Sequence, residues 1–224
     1  MIVELHVWGV DRVVPALLRT ATGRLRLRGT PGLRFAKLLG TGSARTFTPG
    51  DADPHHWAAL TVWEDASYAD RFARGPFVSG WDAAAHERLR VRTSPLAARG
   101  RWSRQEPFGA PAPEPWDGPV AALTRARLRP TRALSFWRAV PPVVADLHGS
   151  PGLRLAVGVG EAPVGVQGTF SLWTDAAALV GFAYRSPAHL AAVERTAPER
   201  WYAEELFARL AVHEVEGTYE GRTP

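Results

Sequence analysis

The chain has 224 residues, 46% of them hydrophobic and nine of them tryptophan, enough to bury a substantial core in one large domain or two smaller ones. It contains no cysteine, which excludes disulfides, thiolate zinc sites, iron–sulfur clusters and cysteine-ligated haem, so any metal falls to His, Asp, Glu, Tyr or Lys. The net charge of +5 is spread along the sequence and predicts no nucleic-acid partner; no apolar run approaches the ~20 residues of a transmembrane segment, and the absence of a secretory signal pattern points to the cytoplasm.

In chain order, residues 2–10 alternate as a strand, and 13–22 carry apolar residues at helical spacing. The run Arg24-Leu25-Arg26-Leu27-Arg28 reads as a solvated face, with contact to an anionic membrane surface as the other reading. A turn at Pro31-Gly32 leads into a strand over 33–39, a long loop over 40–56 and a strand over 57–63. Asp65 is placed to cap a helix from 66 to about 72. Past the break at Gly75-Pro76, a second helical run covers 80–88, and 89–93 is a closing strand. Residues 103–118, rich in Pro and Gly and without apolar period, read as a linker. Beyond them come a strand at 120–128, a helix at 131–147 broken by Pro141-Pro142, and strands at 153–160 and 166–173. Helical runs follow at 175–184, 187–196 and 198–208, with a last strand at 210–215.

The chain contains itself twice. Gly29-Thr30-Pro31-Gly32-Leu33-Arg34 returns as Gly149-Ser150-Pro151-Gly152-Leu153-Arg154, and Thr61-Val62-Trp63-Glu64-Asp65-Ala66 returns as Ser171-Leu172-Trp173-Thr174-Asp175-Ala176. Each copy reads as β-α-β-β-α-β, the ferredoxin-like unit. Such a sheet has helices on one face and must cover the other, so the expected fold is α+β: two tandem ferredoxin-like repeats, 1–102 and 119–224, forming a pseudo-twofold dimeric α/β barrel. A tandem unit needs no partner to close its barrel, which leaves monomer and homodimer both open.

In the second repeat, Ser186 is a good N-cap and Pro187 suits the first helical position, which puts His189 in the first turn of a helix. There the helix dipole disfavours imidazolium and keeps a lone pair available for a metal. The same pattern fits a packed histidine, so local sequence leaves ligation and packing open.

Longer stretches resemble the spheroidene monooxygenase family. They are Phe35-Ala36-Lys37-Leu38-Leu39-Gly40-Thr41-Gly42-Ser43 with Phe47-Thr48-Pro49, Arg99-Gly100-Arg101-Trp102, Phe136-Trp137-Arg138, Val157-Gly158-Val159-Gly160-Glu161-Ala162-Pro163, and Pro187-Ala188-His189. The likeness ends at Trp201-Tyr202-Ala203-Glu204-Glu205-Leu206-Phe207-Ala208-Arg209 and runs in order over nearly the whole chain. It implies a haem-containing oxygenase with b-type haem iron on His189, acting on an apolar or specialised-metabolite small molecule and supplied by an electron-donor protein. A carotenoid substrate would add peripheral membrane contact. The middle loop 45–55 departs from the family wording, which leaves the substrate open.

On that expectation, Lys37 (the single lysine of the chain), Thr41, Arg45 and Gln167 are candidates to donate hydrogen bonds on the distal side of the iron. Ser171 lies on the same predicted strand as Gln167. Arg34 or Arg154 could pair a propionate in bidentate fashion, and Glu161 or Glu194 could accept from the second imidazole nitrogen. Each of these is equally read as an ordinary strand or surface residue. The cluster Asp51-Ala52-Asp53-Pro54-His55-His56 could imitate a facial-triad iron site, although adjacent histidines usually point apart. His6 and His213 fall on predicted strands and are candidates to face the barrel. Rival activities are a haem-dependent lyase or dehydratase for a nitrogen–oxygen substrate, a non-catalytic haem carrier or sensor, and a cofactor-free monooxygenase.

Overall fold

Alternation sorts the first strand: Val3, Leu5 and Val7 turn to one face and Glu4, His6 and Trp8 to the other, and all six are buried. A strand buried on both sides belongs between two layers. The computed structural model describes residues 1–45, 49–112, 114–161 and 168–224. Its elements are β1 (Ile2–Val10), α1 (Val13–Leu27), β2 (Leu33–Gly42), β3 (Ala52–Trp63), α2 (Ala66–Ala73), α3 (Pro76–Asp82) and β4 (Ala85–Gly100). The same order then recurs as β5 (Val120–Leu128), α4 (Ala133–Gly149), β6 (Leu153–Gly160), β7 (Gly168–Trp173), α5 (Ala176–Arg185), α6 (Pro187–Glu199) and β8 (Tyr202–Gly217).

All strand pairs are antiparallel, and the eight strands described close into a barrel in the order β1-β3-β2-β6-β7-β5-β8-β4. Two seams join the halves. One is long, with β4 paired to β8 from Leu89 opposite Gly217 to Gly100 opposite Leu206. The other is short: Gly40-Thr41-Gly42 of β2 meets Gly158-Val159-Gly160 of β6. Gly40 and Gly42 read from sequence as the start of a loop, and they are the end of β2 brought edge to edge with β6.

The barrel interior is apolar, filled by Leu5, Leu39, Leu60, Val91, Leu123, Phe170, Leu210 and their neighbours. Both ends are plugged by the same device. After β4, Gly100 takes φ +88° and the chain folds Trp102 back over the interior; after β8, Gly217 takes φ +88° and folds back Tyr219. A Cβ at either glycine would lie 2.2 or 2.1 Å from a carbonyl oxygen, of Glu205 or Arg88, so only glycine fits. The turn amides are held by one carboxylate each: Glu204 accepts from the N–H groups of Ser103 and Arg104, Glu87 from those of Glu220 and Gly221.

Helices cover the two outer faces unequally. Against the N-terminal strands, α1–α3 share a core of twelve buried residues that includes Trp8, Trp57, Trp63 and Trp81. On the C-terminal strands the corresponding core has three, Val120, Leu147 and Trp173, while Leu153, Ala156, Leu179 and Phe182 stay half-buried. No residue within α5 or α6 is fully buried.

Three sequence expectations are corrected. The segment 198–208, rich in helix formers, is helical only to Glu199, and β8 begins at Tyr202 because Leu206, Ala208 and Leu210 line the interior at a period of two. The helix expected at 80–88 is α3, ending at Asp82, with β4 running from Ala85 to Gly100. The loop expected over 40–56 is strand at both ends, since β2 runs on to Gly42 and β3 starts at Ala52. Among the described residues no helix is long and apolar enough to cross a membrane.

Candidate functional site

Three aromatic side chains stand in a column on the outer face of the C-terminal strands. Trp173 of β7 is fully buried, with its indole N–H given to Ser171 Oγ at 2.9 Å. Phe182 of α5 stacks on it with ring centroids 5.5 Å apart, and the imidazole of His189 packs on Phe182 at 4.8 Å. The N-terminal half builds the same column from Trp63, whose N–H goes to Thr61 Oγ1 at 2.9 Å, then Phe72 and Phe77. At the outer position one half has a phenylalanine and the other a histidine. Packing is therefore satisfied there without an imidazole.

His189 is held firmly. Asp146 of α4 accepts from Ser186 Oγ at 2.5 Å and from the Ala188 N–H at 3.2 Å, while Ser186 caps α6 by accepting from the His189 N–H at 3.2 Å. The far end of α6 is tied to the same helix: Ser135 donates to Glu199 at 3.0 Å and accepts from the Trp201 indole at 3.0 Å. His189 Nδ1 lies 2.9 Å from the Ala183 carbonyl, which makes it the protonated nitrogen and leaves a lone pair on Nε2. No described residue bonds Nε2. Burial pushes the imidazole pKa below its ordinary value, against the Ala183 carbonyl and Asp146, so the ring is neutral near pH 7.

A second feature lies on α4. Pro141 and Pro142 inside the helix remove the donors that would bond the carbonyls of Trp137 and Arg138. The indole N–H of Trp137 is buried and meets no hydrogen-bond acceptor, alone in this among the described side chains. A buried donor without a partner costs ~1–3 kcal/mol.

The remaining candidates lie elsewhere. Lys37 is on the inner wall, where Nζ donates to Ser103 Oγ at 2.6 Å and pairs with Glu161 Oε2 at 2.7 Å. Glu161 also accepts from the Trp102 indole at 2.5 Å and from Arg125 at 3.0 Å, and Arg125 reaches on to Glu204. Burial alone would raise the Glu161 pKa, but Lys37, Trp102 and Arg125 hold it below its ordinary value. These residues fasten the Trp102 plug and are not brought together with His189. Thr41 is buried and donates to the His56 carbonyl at 2.7 Å, while Arg45 and Arg34 are exposed. Arg154 donates to the Pro224 carbonyl at 2.5 Å, Glu194 is exposed, and Gln167 lies outside the described residues.

The Asp53/His56 pair forms no ligand set. His56 uses Nδ1 on Asp53 at 2.6 Å and Nε2 on Glu87 at 3.3 Å, His55 turns to the Val10 carbonyl, and no cluster of three metal-ligating side chains occurs among the described residues. His6 faces outward rather than into the barrel: it pairs with buried Glu4 at 3.3 Å and stacks on Trp8. Burial would raise the Glu4 pKa, but His6 and Arg90 bring it down to about 2. A polar cleft of about 220 Å³ beside them is lined by Asp82, Arg88, Arg90 and Glu216, charges that pair with one another or with Glu4.

The chain matches no protein-family model. It is 36% identical over 207 residues to the spheroidene monooxygenase of Rhodobacter capsulatus, covering 90% of this chain and 84% of that protein. To the spheroidene monooxygenase of Rubrivivax gelatinosus it is 38% identical over 219 residues, covering 97% and 80%. Among solved structures, an aldoxime dehydratase superposes with a TM-score of 0.58 at 14% identity, covering 95% of this chain and 81% of that one, a likeness of fold.

Proposed function

The chain belongs to the spheroidene monooxygenase family, and from that membership we propose that it is a haem-dependent monooxygenase in which His189 carries the iron of a b-type haem. That it is an oxidoreductase follows from the family. The haem, its ligand and the substrate are the proposal.

The single observation that carries it is the Nδ1 contact of His189 with the Ala183 carbonyl, which points to a neutral imidazole in a fixed tautomer with Nε2 unspent. A bare metal ion would need several protein ligands, and no such cluster is described; a porphyrin supplies four nitrogens of its own and asks the protein for one. The half-buried apolar residues between α4–α6 and the sheet, and the unpartnered Trp137 N–H, are what a chain built around a further group would carry there.

When bound, haem supplies the oxygen and redox chemistry. The chain's own part is to hold and orient. Asp146 fixes the first turn of α6, Ala183 fixes the proton on Nδ1, and the Trp173–Phe182 stack sets the imidazole plane. Leu153, Leu179 and Phe182 offer an apolar, water-poor wall suited to a spheroidene-like polyene or another apolar metabolite. Electrons would come from a separate donor protein.

We also read the barrel as two ferredoxin-like repeats, 1–102 and 119–224, with 103–118 between them. The shared element order, the paired aromatic columns and the two glycine-hinged plugs support that reading.

Reconstitution with hemin tests the assignment. The purified chain should bind one equivalent and show a Soret band, and His189→Ala should lose it while keeping its circular dichroism. An unchanged spectrum in the variant would move the ligand elsewhere. Oxygen uptake with reductant and spheroidene then tests the substrate class.

A further inference from the structure

Helix α1 is packed inside out. The residues it buries are small or at its end, Ala16, Gly23 and Leu27, and Gly23 sits so close to the sheet that a Cβ would come within 2.4 Å of Leu38. Its bulky apolar side chains point the other way: Val14 is 67% exposed, Leu17 40%, Leu18 60% and Leu25 65%. Positions 14, 18, 21 and 25 fall on one stripe of a helix, and Ala21 completes it.

The charge on the helix has one sign. Arg24, Arg26 and Arg28 at its C-terminal end are exposed, no described carboxylate pairs with them, and α1 contains no acidic residue. Arg19, by contrast, is spent within the fold, donating to the Gly80 carbonyl and lying over Trp81. An apolar stripe beside unpaired guanidinium groups, on a helix anchored from behind by small residues, is the pattern of an interfacial helix. We propose that α1 is a docking surface for an anionic lipid bilayer, with Val14, Leu18 and Leu25 entering the acyl boundary and Arg24, Arg26 and Arg28 meeting phosphate headgroups. A second copy of this chain would bring no carboxylate of this helix to meet the three arginines, which disfavours a symmetric pairing through it. The docking does not depend on the haem assignment, since α1 and His189 lie on opposite halves of the barrel.

Vesicle sedimentation of the full chain tests it, with phosphatidylglycerol-containing liposomes against pure phosphatidylcholine. The chain should partition onto the anionic vesicles and weakly or not at all onto the neutral ones. Leu18→Glu with Leu25→Glu should lower the anionic partition by about tenfold or more, and so should the triple Arg24→Gln, Arg26→Gln, Arg28→Gln, with unchanged melting temperature in both since all five side chains are exposed. Equal partition onto both vesicles, no partition onto either, or a dimer in sedimentation velocity that Leu18→Glu dissociates would each overturn the proposal.

Discussion

Trp102 and Tyr219 are the same residue of the fold placed at opposite ends of the barrel. Each follows a long strand by two positions, each is reached through a glycine at φ +88°, and each closes the apolar interior. Because β4 and β8 run antiparallel along their shared seam, the two plugs face each other through the length of the barrel.

The hinge glycines therefore set the stability of the closed form. Gly217→Ala must accept a left-handed φ, at ~1–3 kcal/mol, and displace the Arg88 carbonyl. We expect the melting temperature to fall by about 5 °C or more, with a like effect for Gly100→Ala. A control at Gly29, whose Cβ would meet nothing, should be much milder despite its own positive φ. Equal losses at all three would mean that the close carbonyls are not what matters.

Lys37 and Glu161 give a second test. Glu161→Gln leaves Lys37 without its carboxylate partner and weakens the hold on Arg125 and Trp102, a part-buried arrangement whose loss should cost about 1–3 kcal/mol. Lys37→Met should cost less, since Arg125 still neutralises Glu161. Both variants should bind hemin with wild-type affinity if the cluster is a fastening; a loss of affinity in Lys37→Met that exceeds its loss of stability would restore this lysine to the reacting site.

Much of this was readable in advance, and the pattern of misses is physical. The strand at β1, the capping Asp65 and the Ser186-Pro187 start of α6 rest on local signals that the structure keeps. Tyr202–Ala208 did not read as strand because Ala, Glu and Leu favour helix, and only the barrel interior enforces the period of two. Nor could sequence tell which face of α1 looks inward, because Ala16 and Gly23 win that position by size and not by hydropathy. Lys37 drew attention as the single lysine, but its partners Glu161 and Ser103 are distant in sequence and could not be inferred from spacing.

The far plug has a pH dependence of known sign. The bond to Asp53, opposed by burial and aided by Glu87, raises the His56 pKa above its ordinary 6.5. A raised histidine contributes stability fully present below pH 6.5 and lost as pH rises through the folded value. For Asp53 and Glu87, burial works to raise the pKa, yet their hydrogen bonds, to His56 and to the turn at Thr218–Gly221, bring both below their ordinary values. Their contribution is present above those ordinary values and lost as pH falls. Hydrogen exchange at the Glu220 and Gly221 amides, corrected for intrinsic rates, should show protection that weakens above neutrality and again in acid. His56→Gln should remove the alkaline loss and spare the acid one; an unaltered alkaline limb would assign it to another group.

The Trp137 indole separates a chain built around a bound group from one that is merely imperfect. In the hemin-free chain, Trp137→Phe relieves an unpartnered donor worth ~1–3 kcal/mol and leaves a gap that costs a comparable amount, so the melting temperature should change little. If the N–H serves the bound group, the variant forfeits a hydrogen bond only when hemin is present, and its affinity should fall by about tenfold. The extra stabilisation that hemin confers should therefore be smaller in the variant than in the wild type by about 1.4 kcal/mol, the equivalent of that tenfold. Paired thermal melts with and without hemin read both quantities from one preparation. Equal hemin stabilisation of variant and wild type would show that this donor stays unpartnered in the loaded protein, and would leave His189 as the sole polar anchor on α4–α6.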